Sequence, residues 1–247
     1  MVVFPMARLV KLVQDGGADT APYLQEANGF VPKLTAAMDA FDGEWREGPG
    51  EDMGYYIFPD GRPMPLNQQN APGRAFFALS TVTDAPKYLD RARKLAAYMK
   101  TQLTHVEDGD YYLWRYGSVP GGDPGIGEDV SHASINAHFM YLAWRHGASF
   151  TDADMQRLTR TFTECLYMGD GRFRGRLNPD ATTQKRTNAM ARWTYLAQFD
   201  PLVQQQYLEY AAVELAADSP AINDTLGSMA WGYLTRAAQS RGQDAGQ

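Results

Sequence analysis

The feature that most constrains this chain is the rhythm of its connections. Segments of helical period fall near 4–14, 21–41, 70–83, 86–103, 128–146, 152–167, 184–198, 201–217 and 224–239, each with apolar residues recurring three or four positions apart. Some are separated only by tight punctuation, as at Asp84-Ala85, Gly147 to Phe150 and Phe199-Asp200. Others are separated by the long stretches 42–65, 104–127 and 168–183, rich in Gly, Pro and aromatic residues. Short links set neighbouring helices antiparallel, while long ones leave room for function. The pattern predicts an all-α chain of stacked helical hairpins forming one domain over 1–247. The first helix of each hairpin, mixed polar and aromatic, is placed inside a ring. The second, as in Tyr88-Leu89-Ala92-Leu95-Ala96-Met99, reads as an amphipathic cover. Tyr55-Tyr56-Ile57-Phe58 and Tyr111 to Tyr116 read as short strands or hairpins within the long loops, with Asp108-Gly109 supplying a turn.

Helix boundaries carry their own chemistry. Thr151 has Asp154 three residues on, Asp200 precedes Pro201, Asp84 stands before Pro86, and Asn223-Asp224 opens the last segment. These are the acceptor residues and proline positions that satisfy the first backbone N–H groups of a helix.

The chain has 247 residues, 44% hydrophobic, which supports one large core. Its formal charge of -6 argues against non-specific nucleic-acid binding. Arg172, Arg174, Arg176, Lys185, Arg186 and Arg192 nevertheless make one basic region suited to a local anionic ligand. The single cysteine, Cys165, lies in the apolar run Cys165-Leu166-Tyr167 and reads as a buried thiol. No stretch has the apolar length of a bilayer span, and Met1 to Val13 lacks the pattern of a secretory signal. The chain therefore reads as soluble with no membrane partner. Its compartment stays open, and secretion or a periplasmic location would require an upstream signal.

Chemistry concentrates in Gly127-Glu128-Asp129-Val130-Ser131-His132, followed by Asn136 and His138, where a glycine-rich loop (Gly117, Gly121, Gly122, Gly125, Gly127) meets a helix. On a helix continuous from residue 128, Glu128 and His132 are one turn apart on one face, with Asp129 and Asn136 on its flank. Asn67, Asn70 and Arg74 form a second polar stripe, suited to carboxylate or hydroxyl recognition, although Asn70 near Pro72 also fits a helix cap. Asn188, Arg192 and Tyr195 form a third, with Arg186 on another face. Arg192 offers bidentate carboxylate recognition and Tyr195 a phenol able to transfer a proton. Asp224, Ser228 and Trp231 share a face of the last helix. His138, on a different face from His132, reads as structural, and His105 and His146, near helix ends, form no constellation.

Glu128 and His132 have spacing that a metal could use, with Asp129 nearby. However, no HExxH, paired cysteines or EF-hand loop is present, and no metal is assigned. A G-x-S-x-G elbow, a Walker A sequence and a dinucleotide fingerprint are also missing.

The hairpin alternation, the aromatic loops, Tyr112-Leu113-Trp114 and the Gly127 to Ala133 motif resemble the incomplete (α/α) toroid proteins that act on polysaccharides. The nearest are uronate-specific polysaccharide lyases and the helical domain of glucuronyl C5-epimerases. The resemblance spans most of the chain as architecture and concentrates in residues 110–150. It implies a toroid with short β-hairpins in the long loops, an acidic polysaccharide or oligosaccharide as partner, and no cofactor. It also implies abstraction of the C5 proton of a uronic acid, followed by β-elimination or by reprotonation on the other face. His132, Tyr116 or Tyr195 would then serve as base and acid, oriented by Glu128 or Asp129. Asn67, Asn70, Arg74, Asn136, Arg186, Asn188 and Arg192 would hold the carboxylate and hydroxyls, and Tyr56, Trp114 and Trp231 would form sugar-stacking walls. The alternatives are a glycoside hydrolase using Glu128 or Asp129 with Asp52, Asp123 or Asp224, and a glycan-binding protein without catalysis.

Overall fold

The computed structural model describes residues 2–50, 52–117, 127–218 and 224–244. These residues are mostly helical, with a few short antiparallel strand pairs. Backbone contacts group the chain into two compact units, one formed by 1–101 with 139–150 and the other by 102–138 with 151–247.

The first unit is built from α1 (Val3–Asp15), α2 (Leu24–Asp39), β1 (Trp45–Glu47), β2 (Gly54–Tyr56), α3 (Leu66–Leu79) and α4 (Pro86–Lys100). Helix α3 packs against α1, α2 and α4, and Ala75, Phe76, Phe77, Ala78 and Leu79 are all buried. Helix α4 covers it with the stripe Tyr88, Ala92, Leu95, Ala96 and Met99, leaving Asp90 and Arg93 exposed. Within this hairpin the first helix is the enclosed one and the second the cover. Helix α3 starts four residues before Asn70, so Asn70 is an interior residue, buried and donating to Met99 Sδ at 3.1 Å, and is not a cap.

The second unit holds β3 (Thr104–Val106), β4 (Tyr111–Leu113) and the start of α5 (Val130–Arg145). It continues with α6 (Asp152–Arg160), a π-helical extension over Thr161–Leu166, β5 (Tyr167–Gly169) and β6 (Arg172–Phe173). A 3-10 segment (Asn188–Gln198), α7 (Pro201–Leu215) and α8 (Asp224–Asp244) complete it. Thr151 and Asp154 form a reciprocal capping box on α6, and Asp200 accepts from the Leu202 N–H at the start of α7. The N-cap of α4 is Ala85 and not Asp84. Asn223 lies outside the described residues.

The expected β3–β4 hairpin turns through Gly109 at φ +97° and Asp110 at φ +46°. The β5–β6 pair, not expected from the sequence, turns through Asp170 and Gly171, both at positive φ. Cys165 is fully buried, and burial pushes its thiol pKa up to about 12.

The 3-10 segment replaces the α-helix expected over 184–198. Its three-residue period puts Met190, Trp193 and Leu196 on one stripe, and all three are fully buried, in a segment that packs against α7 and α8. Arg192 and Tyr195 remain on a common stripe under that period, whereas Asn188 is displaced from it by a third of a turn.

Candidate functional site

The site is assembled in the second unit from backbone lanes that lie far apart in sequence. Glu128 N–H donates to Trp114 O at 3.2 Å, Leu177 N–H to Glu128 O at 2.9 Å, and Val130 N–H to Gly175 O at 3.0 Å. Gly175 N–H in turn donates to Thr183 O, and Lys185 N–H to Phe173 O. Asp129 pairs antiparallel with Arg176, and Arg174 with Gln184. Extended backbone sends successive side chains to opposite faces. Phe173 and Leu177 are accordingly buried on one face and Arg172 and Arg176 exposed on the other, Trp114 and Glu128 are buried with the first face, and Tyr116 and Lys185 reach the cleft where the alternation no longer holds.

Gly127 makes the close pairing possible. Its φ is +69°, and a Cβ there would meet Leu177 O at 2.1 Å. Only glycine fits both the backbone conformation and the approach.

Helix α5 begins at Val130, with the Asp129 side chain accepting from the Ser131 N–H at 2.9 Å. Glu128 therefore precedes the helix, and its expected shared face with His132 is not formed. Glu128 is fully buried, and its Oε2 accepts from Trp114 Nε1 at 2.5 Å and from Asn136 Nδ2 at 2.6 Å. Its Oε1 is buried and has no hydrogen-bond partner among the described residues. Burial outweighs those two donors and pushes the carboxyl pKa up to about 8.

His132 is exposed and faces an open cleft of about 480 Å³ lined by Tyr116, Asp129, Ser131, Arg176 and Lys185. The Tyr116 and His132 rings stand 5.5 Å apart, and Tyr116 is 43% exposed. Lys185 Nζ binds Asp129 Oδ2 at 2.5 Å. Burial opposes ionisation of Asp129, but the Lys185 ammonium and the Ser131 N–H overcome it and hold its carboxyl below the usual range. Arg176 Nη1 lies 3.4 Å from Gly127 O and engages no carboxylate among the described residues. The cleft thus offers an imidazole, a phenol, an exposed guanidinium and a neutralised ion pair beside the start of a 16-residue helix.

The other expected residues are placed as follows. Trp114 and Asn136 are buried and serve Glu128, and Trp114 also stacks on Trp193 with centroids 6.4 Å apart, so Trp114 is no open wall. Tyr195 is 2% exposed and packs against His138 and Tyr233, with ring centroids 5.2 and 5.9 Å away. A buried phenol there does not present itself to a glycan. Arg186 makes a two-pronged pair with buried Glu214 at 2.8 and 2.9 Å. Arg192 is half-buried, with Nη1 3.4 Å from Ser134 Oγ, and burial holds its guanidinium below its ordinary pKa. Asn188 is half-buried where the 3-10 segment begins. Trp231 stands 67% exposed on α8 with Ser228 exposed one turn before it. Tyr56, Asn67, Asn70 and Arg74 belong to the first unit. There Tyr56 is buried edge-on to Trp45 and Arg74 lies over the Phe4 ring. Asp52 is exposed in the β1–β2 connection. Gly121, Gly122, Asp123, Gly125 and the side chain of Asp224 lie outside the described residues.

Arg176 and Lys185, which the sequence marks only as part of a basic region, both line the cleft. The alternation Arg172-Phe173-Arg174-Gly175-Arg176-Leu177 carried the period of a strand with basic residues on one face. Among the described residues no three His, Cys, Asp or Glu side chains gather closely enough to hold a metal ion. No helix of the described residues is long and apolar enough to cross a membrane. No family model matches the chain, and neither a curated protein nor a solved structure matches it significantly.

Proposed function

We propose that this chain is a carbohydrate-active enzyme, a polysaccharide lyase that cleaves a uronate-containing glycan by β-elimination in the cleft before α5. The observation that carries the reading is the Tyr116–His132 ring pair, open to solvent beside Arg176 and Lys185. Elimination at a uronate needs a base for the weakly acidic C5 proton, an acid for the departing oxygen at C4, and positive charge on the carboxylate. The phenol and the imidazole supply the two proton-transfer roles. The guanidinium of Arg176 matches a planar carboxylate and takes the charge that develops as C5 loses its proton. Lys185 holds Asp129, which fixes the first turn of α5 and with it His132.

Hydrolysis would need two carboxyl groups facing the glycosidic bond. Among the described residues the cleft presents one, Asp129, already engaged by Lys185, while Glu128 is sealed beneath it. An incomplete α/α toroid is the finer architecture that accompanies this reading, supported by the enclosed first helix of the α3–α4 hairpin. The reaction needs no cofactor.

The test is ultraviolet absorbance of the unsaturated uronate product, followed while the protein is incubated with alginate, glucuronan, hyaluronan, pectate and heparin-type chains. The expected result is a rise with one of these substrates that His132→Ala abolishes. New reducing ends without absorbance would replace the lyase reading with hydrolysis. Exchange of the C5 hydrogen with solvent without cleavage would replace it with epimerisation, and binding without reaction would leave a glycan-binding protein.

A further inference from the structure

A different opening lies in the first unit, where the end of α2, β2 and the start of α3 enclose a pocket of about 320 Å³. Its walls are Met38 and Met64, Phe41 and Tyr56, and Pro72, with the Gln68 amide and Glu44, the one carboxylate, as the polar side chains beside the Tyr56 hydroxyl. The volume is about twice the ~150 Å³ cavity that accommodates benzene. Outside Glu44, the Gln68 amide and the Tyr56 hydroxyl the lining side chains are apolar, so water against them finds no side-chain partner and displacing it with an apolar body is favourable.

Glu44 gives the pocket its sign. The cations around it are committed elsewhere. Arg91 pairs with Asp42, Lys87 with Asp39 at 2.6 Å, and Arg46 donates to the carbonyls of Gly43 and Trp45 at 2.8 and 2.7 Å. Glu44 itself enters no ion pair among the described residues. A carboxylate without a counter-charge, beside two aromatic rings and two polarisable sulfurs, attracts a positive group attached to an apolar frame. An anion would be repelled by Glu44, and a sugar would find the Gln68 amide and the Tyr56 hydroxyl as side-chain donors on a mostly apolar wall.

We propose that this pocket binds a small organic cation, a primary or methylated amine carried on an aromatic or branched aliphatic body. The ammonium sits toward Glu44 and the body fills the space between Met38, Met64 and Tyr56. The proposal is independent of the cleft before α5 and of the reaction assigned to it.

The experiment uses the full chain labelled with ¹³C at the methionine methyls, with the Met38 and Met64 resonances assigned through Met38→Leu and Met64→Leu. The probes are 2-phenylethylammonium and its neutral counterpart 2-phenylethanol. The expected result is a saturable shift of both methyl signals with the amine and binding of the alcohol weaker by about tenfold. Glu44→Gln should remove that difference while the remaining methionine signals keep their positions. Two results would overturn the proposal: Met38 and Met64 signals unmoved by millimolar amine, or equal affinity for both probes with no effect of Glu44→Gln.

Discussion

The indole N–H of Trp114 donates to Glu128 Oε2 at 2.5 Å, tying the residue after β4 to the residue that precedes the N-cap of α5. Asn136 approaches the same oxygen from within the helix at 2.6 Å. Two donors converge on one carboxyl oxygen while the other lies in the core without a partner among the described residues. This arrangement suits a protonated acid better than a carboxylate, because an ion there would lack solvation on one side.

Stability should therefore fall as pH rises through the window that Glu128 defines. Its pKa is about 8 when folded against an ordinary 4.5. Between those values the unfolded chain has released the proton that the folded one still holds. Unfolding therefore becomes easier as pH rises from the lower value to the upper, and beyond the upper value there is no further loss. The effect is on the order of a few kcal/mol across the window. Glu128→Gln keeps an acceptor for both donors and should flatten the curve. Thermal melts of the two proteins across the window check this, and parallel curves would exclude the assignment.

Gly127→Ala should destabilise the second unit on the order of 2–4 kcal/mol, from strain at positive φ together with the collision with Leu177 O. Chemical denaturation measures the loss. A shift of a few tenths would mean that the 127–130 and 175–177 lanes separate readily.

Arg176→Ala should leave the melting temperature nearly unchanged, because the side chain is exposed. It should lower kcat/KM on the acidic glycan roughly 10- to 100-fold, as removal of a charge-stabilising donor does. Steady-state kinetics on the substrate found in the absorbance screen decide the matter. Undiminished turnover would remove Arg176 from the carboxylate-binding role.

Thr151→Ala removes half of the capping box and should cost about 1 kcal/mol. Urea denaturation would register the change, and glycan cleavage should be unaffected. Arg186→Met acts on a different contact, the pair with buried Glu214. It should lower the melting temperature without altering cleavage, and a selective loss of cleavage would return Arg186 to the site.

What the sequence disclosed follows the range of the forces involved. Thr151, Asp154 and Asp200 were legible as caps because each bonds within its own turn. The Asp108-Gly109 turn was legible for the same reason. Glu128 was misplaced because the lane that straightens residues 127–129 comes from residues about fifty positions later, and local helix propensity gives no hint of it. Tyr195 suffered from a change of period. Read at 3.6 residues per turn it shares a face with Asn188, but in a 3-10 segment it does not. Arg176 could have been found from the alternation that precedes Leu177. The Tyr116–His132 pairing could not, because the two rings meet only through tertiary structure.

Cys165 is the penultimate residue of the π-helical extension of α6 and lies in the core, where its thiol is both enclosed and held in the protonated, unreactive form. It is also the only cysteine in 247 residues. The protein consequently carries a built-in stopwatch for its second unit. An alkylating reagent added under native conditions can react only during excursions that open this region, so the labelling rate counts those excursions directly and no probe has to be introduced.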